Sequence, residues 1–424
     1  FMWPAKLWKT YEYFIRKSAG LGVSPTERDP DLYDHKYYHC DVLIVGAGPA
    51  GLTAATIATN SGKKVLLVDE KPEHGGSLVG SNNEITSIDN EHPREWVEKI
   101  YSELINNKKI KILNRTSVAA YHNYNYLIMM ENLTDHLNEN DKKNKIRQRL
   151  WKVRAKKVIL ATGSIERPMI FDGNDKPGIM LSSAVRKYLN YYAVKCGNNV
   201  AIFTNNDDAY ETALSLHANG VKISAIIDIR DKSSGALVKK CLDQGLKIIW
   251  NHTVVYAAGH KRINRIFVMK LSKNNNSVIG NKIKIDCDLM CVSGGYTPAV
   301  HLFTQSGGQL SFDEKKFYFY PNKTNLDQIS VGACAGVFNL KKIIQDTNLK
   351  VNKFLGTNIK NEINVSDNKS GGFKNIWLLP SDKVPGKTKS FVDFQNDSTA
   401  NDIKLALREG FKSIEHVKRY TTTG

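Results

Sequence analysis

Cysteine is scarce in this chain, with six in 424 residues, and no two of them form a Cys-x-x-Cys pair. That number is too low for a disulfide-stabilised scaffold, and the spacing provides neither the paired ligands of a structural zinc site nor a redox dithiol. Long apolar runs are missing as well, because the longest are of strand length and none approaches the roughly 18 residues of a membrane span. We therefore expect a cytoplasmic protein that holds no metal and has no membrane partner.

The rest of the composition is that of a globular protein, with 41% hydrophobic and 24% charged residues. At roughly 150 residues per domain, 424 residues predict about three domains. The net charge of +18 would ordinarily favour nucleic-acid binding. However, the densest basic stretch, residues 141–157, includes the apolar alternation of a half-exposed strand. We therefore expect no nucleic-acid partner.

Two strand–helix–strand patterns organise the chain, one at 41–45, 51–61 and 64–68 and the other at 199–203, 209–219 and 222–229. They predict an α/β fold with two interleaved, doubly wound Rossmann-like lobes and a small, mostly helical C-terminal module. The predicted boundaries are an N-terminal basic and aromatic segment at 1–39, a dinucleotide-binding lobe at 40–166 and 288–356, a second lobe at 167–287, a linker at 357–372 and the module at 373–424.

Each terminal segment carries a helix prediction. The aromatic residues near the N-terminus predict an amphipathic helix that docks on the body of the protein or on a partner subunit. The C-terminal module is predicted to contain a helix at about 401–420. Because the sequence begins at Phe1 and ends at an irregular Thr-Thr-Thr-Gly, we expect that both ends were cut from a longer protein.

The strongest motif is the segment VLIVGAGPAGLTAA at residues 42–55. It follows an apolar strand and begins a helix, which is the context that a Gly-x-Gly-x-x-Gly fingerprint requires. Gly46 permits the tight turn, Gly48 lets backbone N–H groups approach a pyrophosphate, and Gly51 lets the helix pack on the strand. Pro49 and Ala50 complete the turn, and the helix N-terminus favours the diphosphate.

Two acids, Asp69 and Glu70, follow the next strand at the spacing of a carboxylate that binds a ribose hydroxyl, with Lys71 beside them. Because two acids disfavour a 2′-phosphate, the pattern favours NAD or FAD over NADP. Small residues that end two later strands suit a backbone that lies against the same nucleotide: Thr162 and Gly163, then Gly332 and Ala335. The candidate cofactor-binding set also includes Gly76, Ser77, Val118 and Leu340.

The second unit differs at its turn, which reads TNNDDA at residues 204–209. It has no glycine and places two carboxylates at a helix N-terminus, where they would repel a phosphate and cap the helix. We therefore expect no dinucleotide in the second lobe.

Five segments resemble the two-dinucleotide-domain flavoprotein superfamily, which includes glutathione and thioredoxin reductases, and within it the alpha subunits of heterotetrameric sarcosine oxidases. They are HCDVLIVGAGPAGL (39–52), ATGSIERP (161–168), DKPGIMLSSA (175–184), VSGGYTPAVHLFTQS (292–306) and FVDFQNDSTANDIKLALREGFKSIEHVKRYTT (391–422). The last is far more specific than the glycine fingerprint.

The resemblance implies a subunit that works with beta, gamma and delta subunits to demethylate sarcosine with O2. The complex yields glycine, H2O2 and, with tetrahydrofolate, 5,10-methylenetetrahydrofolate. It also implies a non-catalytic NAD in this chain, FMN at the interface with the beta subunit, and FAD in the beta subunit. By the same resemblance, the FMN interface lies near Lys418, Arg419 and the threonines at 421–423. No catalytic residue is assigned to this chain.

Three alternatives stay open at this point. One is an FAD-dependent, NAD(P)-linked oxidoreductase with FAD in this chain, although the absence of a redox cysteine pair counts against it. A second is an amine dehydrogenase subunit, but related subunits of that kind carry cysteines for a [2Fe–2S] cluster, and no cysteine follows Cys334. The third is a non-enzymatic scaffold that a nucleotide stabilises.

Overall fold

The structure is a computed structural model that describes residues 3–20, 22–81, 86–361, 363–366, 372–384 and 386–424. Its helices are α1 Trp8–Ser18, α2 Pro49–Asn60, α3 Pro93–Ile105, α4 Glu139–Lys142, α5 Ser182–Asn190, α6 Asp208–Ala218, α7 Ala236–Asp243, α8 His301–Gln305, α9 Leu340–Leu355, α10 Ala400–Arg408 and α11 Ile414–Thr421. Short 3₁₀ helices span Ala5–Leu7, Gly76–Gly80 and Gly332–Ala335.

The strands of the first half are β1 Leu32–Val45, β2 Val65–Val68, β3 Ile110–Leu113, β4 Thr116–His122, β5 Tyr126–Asn132, β6 Ile146–Leu160, β7 Ser164–Glu166, β8 Ile179–Leu181, β9 Asn199–Thr204 and β10 Lys222–Asp228. Those of the second half are β11 Ile248–Trp250, β12 His252–Gly259, β13 Ile263–Leu271, β14 Val278–Asp286, β15 Leu289–Ser293, β16 Tyr296–Pro298, β17 Gln309–Asp313, β18 Tyr318–Lys323, β19 Gln328–Ser330, β20 Phe391–Asp393 and β21 Ser398–Thr399.

The first sheet has the order β3-β2-β1-β6-β5-β4, with β19 paired to β6. Its strands β3, β2, β1, β6 and β19 are parallel, whereas β5 and β4 form an antiparallel extension. Strand β2 is buried along its whole length, as expected for a parallel strand covered on both faces. On one face, α2 packs its small side chains Ala54, Ala55 and Ala58 into the core.

Strand β1 begins at Leu32, nine residues before the predicted start at Asp41. Its first half is polar and largely exposed, so it lacks the apolar alternation of a recognisable strand. It forms because the long β6 offers a parallel partner along its whole length, from Leu32 opposite Ile146 to Val45 opposite Leu160. An ion pair of 2.8 Å between Asp34 and Arg149 links the two extensions.

The second sheet has the parallel order β11-β10-β9-β15-β8. The chain leaves the first sheet after β6, builds the second, and returns to the first with β19. This connection confirms the predicted pair of interleaved Rossmann-like lobes. Strand β15, which begins at Leu289, pairs with β9 and β8, so the second sheet extends beyond residue 287.

The two ends of the chain were each predicted to contain a helix. Helix α1 forms and none of its residues is buried, and its docking on the body of the protein or on a partner subunit stays a prediction. The predicted helix at 401–420 is two helices, α10 and α11, because Gly410 has a φ of +93° that a continuous helix cannot accommodate. The predicted linker at 357–372 lies partly outside the described residues, as do Phe1 and Met2 of the N-terminal segment. Within the described ranges, no helix is both long and apolar enough to cross a membrane.

Candidate functional site

The glycine fingerprint forms the turn between β1 and α2, and two of its glycines are required by contact. Gly46 has a φ of +102°, and a Cβ there would overlap the Ala161 carbonyl oxygen at the end of β6. A Cβ on Gly51 would overlap the Gly46 carbonyl oxygen. Both positions therefore need glycine so that the turn, the helix and β6 can approach closely.

Gly48 is different, because its backbone would allow a side chain. It is the N-cap of α2 with a φ of −74°, and a Cβ there would meet only Gly76 Cα, at 3.9 Å. As a glycine it has no side chain to cap the helix, and Pro49 is the first helical residue. There is therefore room for a Cβ beside the positive end of the α2 dipole, and a helix end of this kind favours a diphosphate.

Asp69 is attached to this turn directly. Its carboxylate accepts one hydrogen bond from the Ala47 amide at 2.6 Å and another from the Lys71 amide at 2.9 Å. The acid that ends β2 therefore braces the glycine turn, a role that the spacing alone did not reveal. Glu70 and Lys71 are exposed beside it.

The structure brings several other predicted residues to the same turn. Gly76 has a φ of +56°, and a Cβ there would lie 2.9 Å from Gly48 Cα. A Cβ on Gly332, whose φ is +72°, would lie 2.7 Å from the Ala50 side chain. One close-packed backbone cluster therefore contains Gly46, Gly48, Ala50, Gly76 and Gly332.

The remaining predicted residues surround this cluster at greater distance. Thr162 donates a hydrogen bond to the Ala299 carbonyl at 2.8 Å, and the backbone beyond Gly163 is open. Val118 lies on β4, whose first amide, from Thr116, donates to the Asp69 carbonyl. Ser77 is exposed and Ala335 is half-buried. Leu340 begins α9, where it borders a cavity between the lobes.

The corresponding turn of the second lobe is filled by its own side chains. The Asn206 side-chain amide, 8% exposed, donates to Asn205 Oδ1 at 2.9 Å and to Ser293 Oγ at 3.1 Å. Asp207 pairs with Arg230 at 2.7 Å. Where the first lobe has an open backbone turn, the second has a closed polar network.

The acid at the end of β10 also bonds to side chains within the second lobe. Asp228, which stands where Asp69 stands in the first lobe, is fully buried. It accepts a hydrogen bond from the Tyr210 hydroxyl at 2.7 Å and pairs with Arg230 at 2.7 Å. Burial and the Asp228 carboxylate raise the pKa of Tyr210, so this tyrosine stays protonated.

A cavity of about 370 Å³ between the lobes was not predicted from the sequence, because its walls come from distant segments. Behind it lies Glu166, which is 5% exposed and accepts a hydrogen bond from Ser183 Oγ at 2.6 Å. Burial, together with the Asp208 carboxylate, raises the pKa of Glu166 to about 7. Asp208 itself pairs with Arg186 at 3.3 Å.

Several of the C-terminal residues proposed for an FMN interface are buried or use their polar groups within the protein. Lys418 is half-buried and Arg419 exposed. The Thr421 hydroxyl is buried and donates to the Val417 carbonyl at 2.8 Å, and the Thr422 hydroxyl donates to the Thr421 carbonyl at 2.7 Å. Thr421 Oγ1 and Thr423 Oγ1 lie 2.8 Å apart, and because the Thr421 proton goes to Val417, Thr423 is the donor of that bond. All three threonine hydroxyls therefore bond within the helix end.

The cysteines are unpaired, and five of the six are buried. Burial raises the pKa of Cys241 and Cys287 to about 12, so these thiols are protonated and unreactive near neutral pH. Across the described ranges, His, Cys, Asp and Glu form no cluster that could hold a metal ion.

Two interleaved Rossmann-like lobes, with a glycine turn against a helix N-terminus, define a flavin- or nucleotide-binding fold of the oxidoreductases. The family model for pyridine nucleotide-disulphide oxidoreductases matches residues 40–346. The chain belongs to this family. A second model, the sarcosine oxidase A3 domain, matches residues 387–424.

Relatives extend the comparison over the whole chain. The chain is 36% identical over 413 residues to a sarcosine oxidase subunit alpha from Corynebacterium sp. (strain P-1), covering 95% of this chain and 42% of that protein. It is 34% identical over 436 residues to the subunit of the same name from Rhizobium meliloti (strain 1021), covering 100% of this chain and 42% of that protein. The chain thus spans less than half the length of these relatives.

A solved structure shares the fold. L-Proline dehydrogenase from P. horikoshii superposes with a TM-score of 0.62 at 20% identity, covering 92% of this chain and 70% of that chain. At this identity the likeness shows the architecture alone. It agrees with the two lobes derived from the sheet connections.

Proposed function

We propose that this chain is the part of a sarcosine oxidase alpha subunit that binds a dinucleotide and docks the other subunits. The observation that carries the proposal is the whole-chain similarity to sarcosine oxidase alpha subunits, together with the A3 match at 387–424. The proposed reaction of the complex is the oxidative demethylation of sarcosine to glycine. O2 is the electron acceptor, and tetrahydrofolate takes up the one-carbon unit.

The proposed ligand of this chain is one NAD molecule in the first lobe. The diphosphate would bind at Gly46, Gly48, Pro49, Ala50 and Gly51, where the open face of Gly48 and the helix N-terminus fit it. Glu70, Lys71 and the outer lone pairs of Asp69 would hold the adenosine ribose. A pyridine nucleotide supplies hydride chemistry when it turns over, but here we propose that it is structural.

The other predicted cofactor-binding residues would contact the rest of the nucleotide. Gly76, Ser77 and Val118 would line the adenosine half, whereas Thr162, Gly163, Gly332, Ala335 and Leu340 would line the other half. The second lobe would bind no dinucleotide, because Asn206, Asp207 and Arg230 fill its turn.

The remaining flavins and partners are proposed for the assembled complex. FAD would belong to the beta subunit, and FMN would lie at its interface with this chain, near Lys418, Arg419 and residues 421–423. Gamma and delta subunits would complete a heterotetramer in the cytoplasm. The chain has five proposed functional divisions: residues 1–39, 40–166 with 288–356, 167–287, 357–372 and 373–424.

The experiment is to identify the ligand that the purified protein releases on denaturation. NAD should be recovered at one equivalent per chain, and the protein should lack the absorption of FAD near 450 nm when it is purified without its partners. The control is Gly48→Val, which should release none. FAD at one equivalent from the chain alone would favour the FAD-dependent, NAD(P)-linked alternative.

A further inference from the structure

Among the residues that the structure describes, the cavity between the lobes contains a cationic side chain with no anionic partner. Arg167, just after β7, lines the cavity with Lys316, Tyr318, Phe338, Tyr296 and Leu340. Its guanidinium donates to the Phe317 carbonyl at 2.8 Å and lies 4.1 Å from the centre of the Trp377 ring. Among the described residues, no carboxylate lies within ion-pair distance of Arg167, and its buried Nε has no hydrogen-bond partner.

The acids of the same cavity have cationic partners of their own. Asp207 pairs with Arg230 at 2.7 Å, and Asp208 and Glu211 both pair with Arg186, at 3.3 and 3.2 Å. Within the described part of the chain, Arg167 is thus a guanidinium of this cavity without a carboxylate partner. Burial lowers its pKa to about 10, so it is still charged at neutral pH. A half-buried guanidinium of this kind is stabilised by an anion.

The body of the cavity is aromatic. The Phe338 ring lies 5.6 Å from Tyr318 and 6.3 Å from Tyr296, centre to centre. Lys316 lies beside the Tyr318 ring, so a second cation borders the same wall. A volume of about 370 Å³ falls within the range of small-molecule sites.

We propose that this cavity binds a small aromatic carboxylate, with its carboxylate on Arg167 and its ring among Tyr296, Tyr318 and Phe338. A carboxylate fits better than a phosphate, because Asp207 and Asp208 nearby each share their cation with another acid and therefore disfavour a dianion. This proposal does not rest on the proposed function. The cavity shares Leu340 with the proposed nucleotide site, but Arg167, Tyr296 and Phe338 lie outside that set.

The test uses 1-naphthoate as the probe and follows its binding to the purified protein by calorimetry. Its neutral isostere 1-naphthamide should bind at least about tenfold more weakly, as expected when a charged hydrogen bond is lost. Arg167→Met should weaken naphthoate by about 10- to 100-fold, whereas Arg167→Lys, which keeps the charge, should retain most of the affinity. The matched control is Arg154→Met, at an exposed position of β6.

A second variant keeps the test decisive if Arg167→Met unfolds. Phe338 is 39% exposed, so Phe338→Ser should fold, and it should weaken naphthoate without affecting NAD. Equal binding of naphthoate and naphthamide, tighter binding of 1-naphthyl phosphate, or unchanged affinity in both variants would overturn the proposal. NAD affinity, measured in parallel, should be unchanged by Arg167→Met, which separates this site from the glycine turn.

Discussion

The Asp69 carboxylate accepts a hydrogen bond from the Ala47 amide at 2.6 Å, so the acid at the end of β2 holds the glycine turn at the end of β1. One side chain thus connects the part of the site proposed for the ribose with the part proposed for the diphosphate. Stability and nucleotide affinity are therefore coupled at Asp69.

That coupling predicts the effect of Asp69→Ala. The Ala47 amide loses its partner, which lowers the free energy of unfolding by about 1 to 3 kcal/mol, and NAD affinity falls at least about tenfold because the turn loosens. Denaturant unfolding and NAD titration measure the two effects. Glu70→Ala, at the exposed neighbour, should change stability by less than about 0.5 kcal/mol. Equal stability of the two variants would contradict the bracing role.

The open face of Gly48 predicts a variant that folds but does not bind. A Cβ there contacts only Gly76 Cα at 3.9 Å, and the φ of −74° suits any residue. Gly48→Val should therefore melt close to the native protein yet lose NAD binding by at least about 100-fold, because its side chain occupies the approach to the helix N-terminus. Ala218→Val, at the exposed end of α6, adds similar bulk and should bind normally. Normal NAD affinity in Gly48→Val would exclude the glycine turn as the site.

The closed turn of the second lobe predicts a purely structural role for Arg230. Arg230→Ala leaves Asp207 and the fully buried Asp228 without their cation, so the free energy of unfolding should fall by about 3 to 5 kcal/mol. Denaturant unfolding measures the loss, with the exposed Arg154→Ala as the control. Nucleotide stoichiometry should stay at one per chain. A second equivalent of NAD in the native protein would contradict the account of this lobe.

The raised pKa of Glu166 predicts that the free energy of unfolding depends on pH. Its pKa is raised to about 7 by burial and by Asp208, whereas an unfolded glutamate titrates near 4.5. Between these values the folded state binds more protons, so the free energy of unfolding falls as pH rises from about 4.5 to 7, by up to roughly 3 kcal/mol. Glu166→Gln should flatten that slope and should be more stable than the native protein at pH 8. An unchanged slope in the variant would assign the dependence to other groups.

The sequence predicted the parts of this fold that depend on residues close together along the chain. The spacing of Gly46, Gly48 and Gly51 identified the turn, and the strand predicted at 64–68 is observed at Val65–Val68. Local patterns could not reveal the Asp69 to Ala47 contact, because it depends on the lateral pairing of β1 and β2. The polar start of β1 was missed for the same reason, since its strand conformation comes from β6.

The cavity between the lobes was the least predictable feature. Arg167, Tyr296, Tyr318 and Phe338 are far apart along the chain and meet only when the lobes pack. Arg167 and Tyr296 lie in segments that carried the family resemblance, but nothing in those segments identified either residue as part of a cavity. The break between α10 and α11, by contrast, had a visible signal in Gly410, and the prediction of a single helix overlooked it.

The most direct test of the proposed function is peroxide production from sarcosine. The purified chain, supplied with FAD, FMN, sarcosine and O2, should give no peroxide above background, because its described residues contain no assigned catalytic group and the amine-oxidising FAD is proposed for the beta subunit. The chain copurified with the proposed partner subunits should give sarcosine-dependent peroxide. Robust turnover by the chain alone, or none by the assembled complex, would contradict the account.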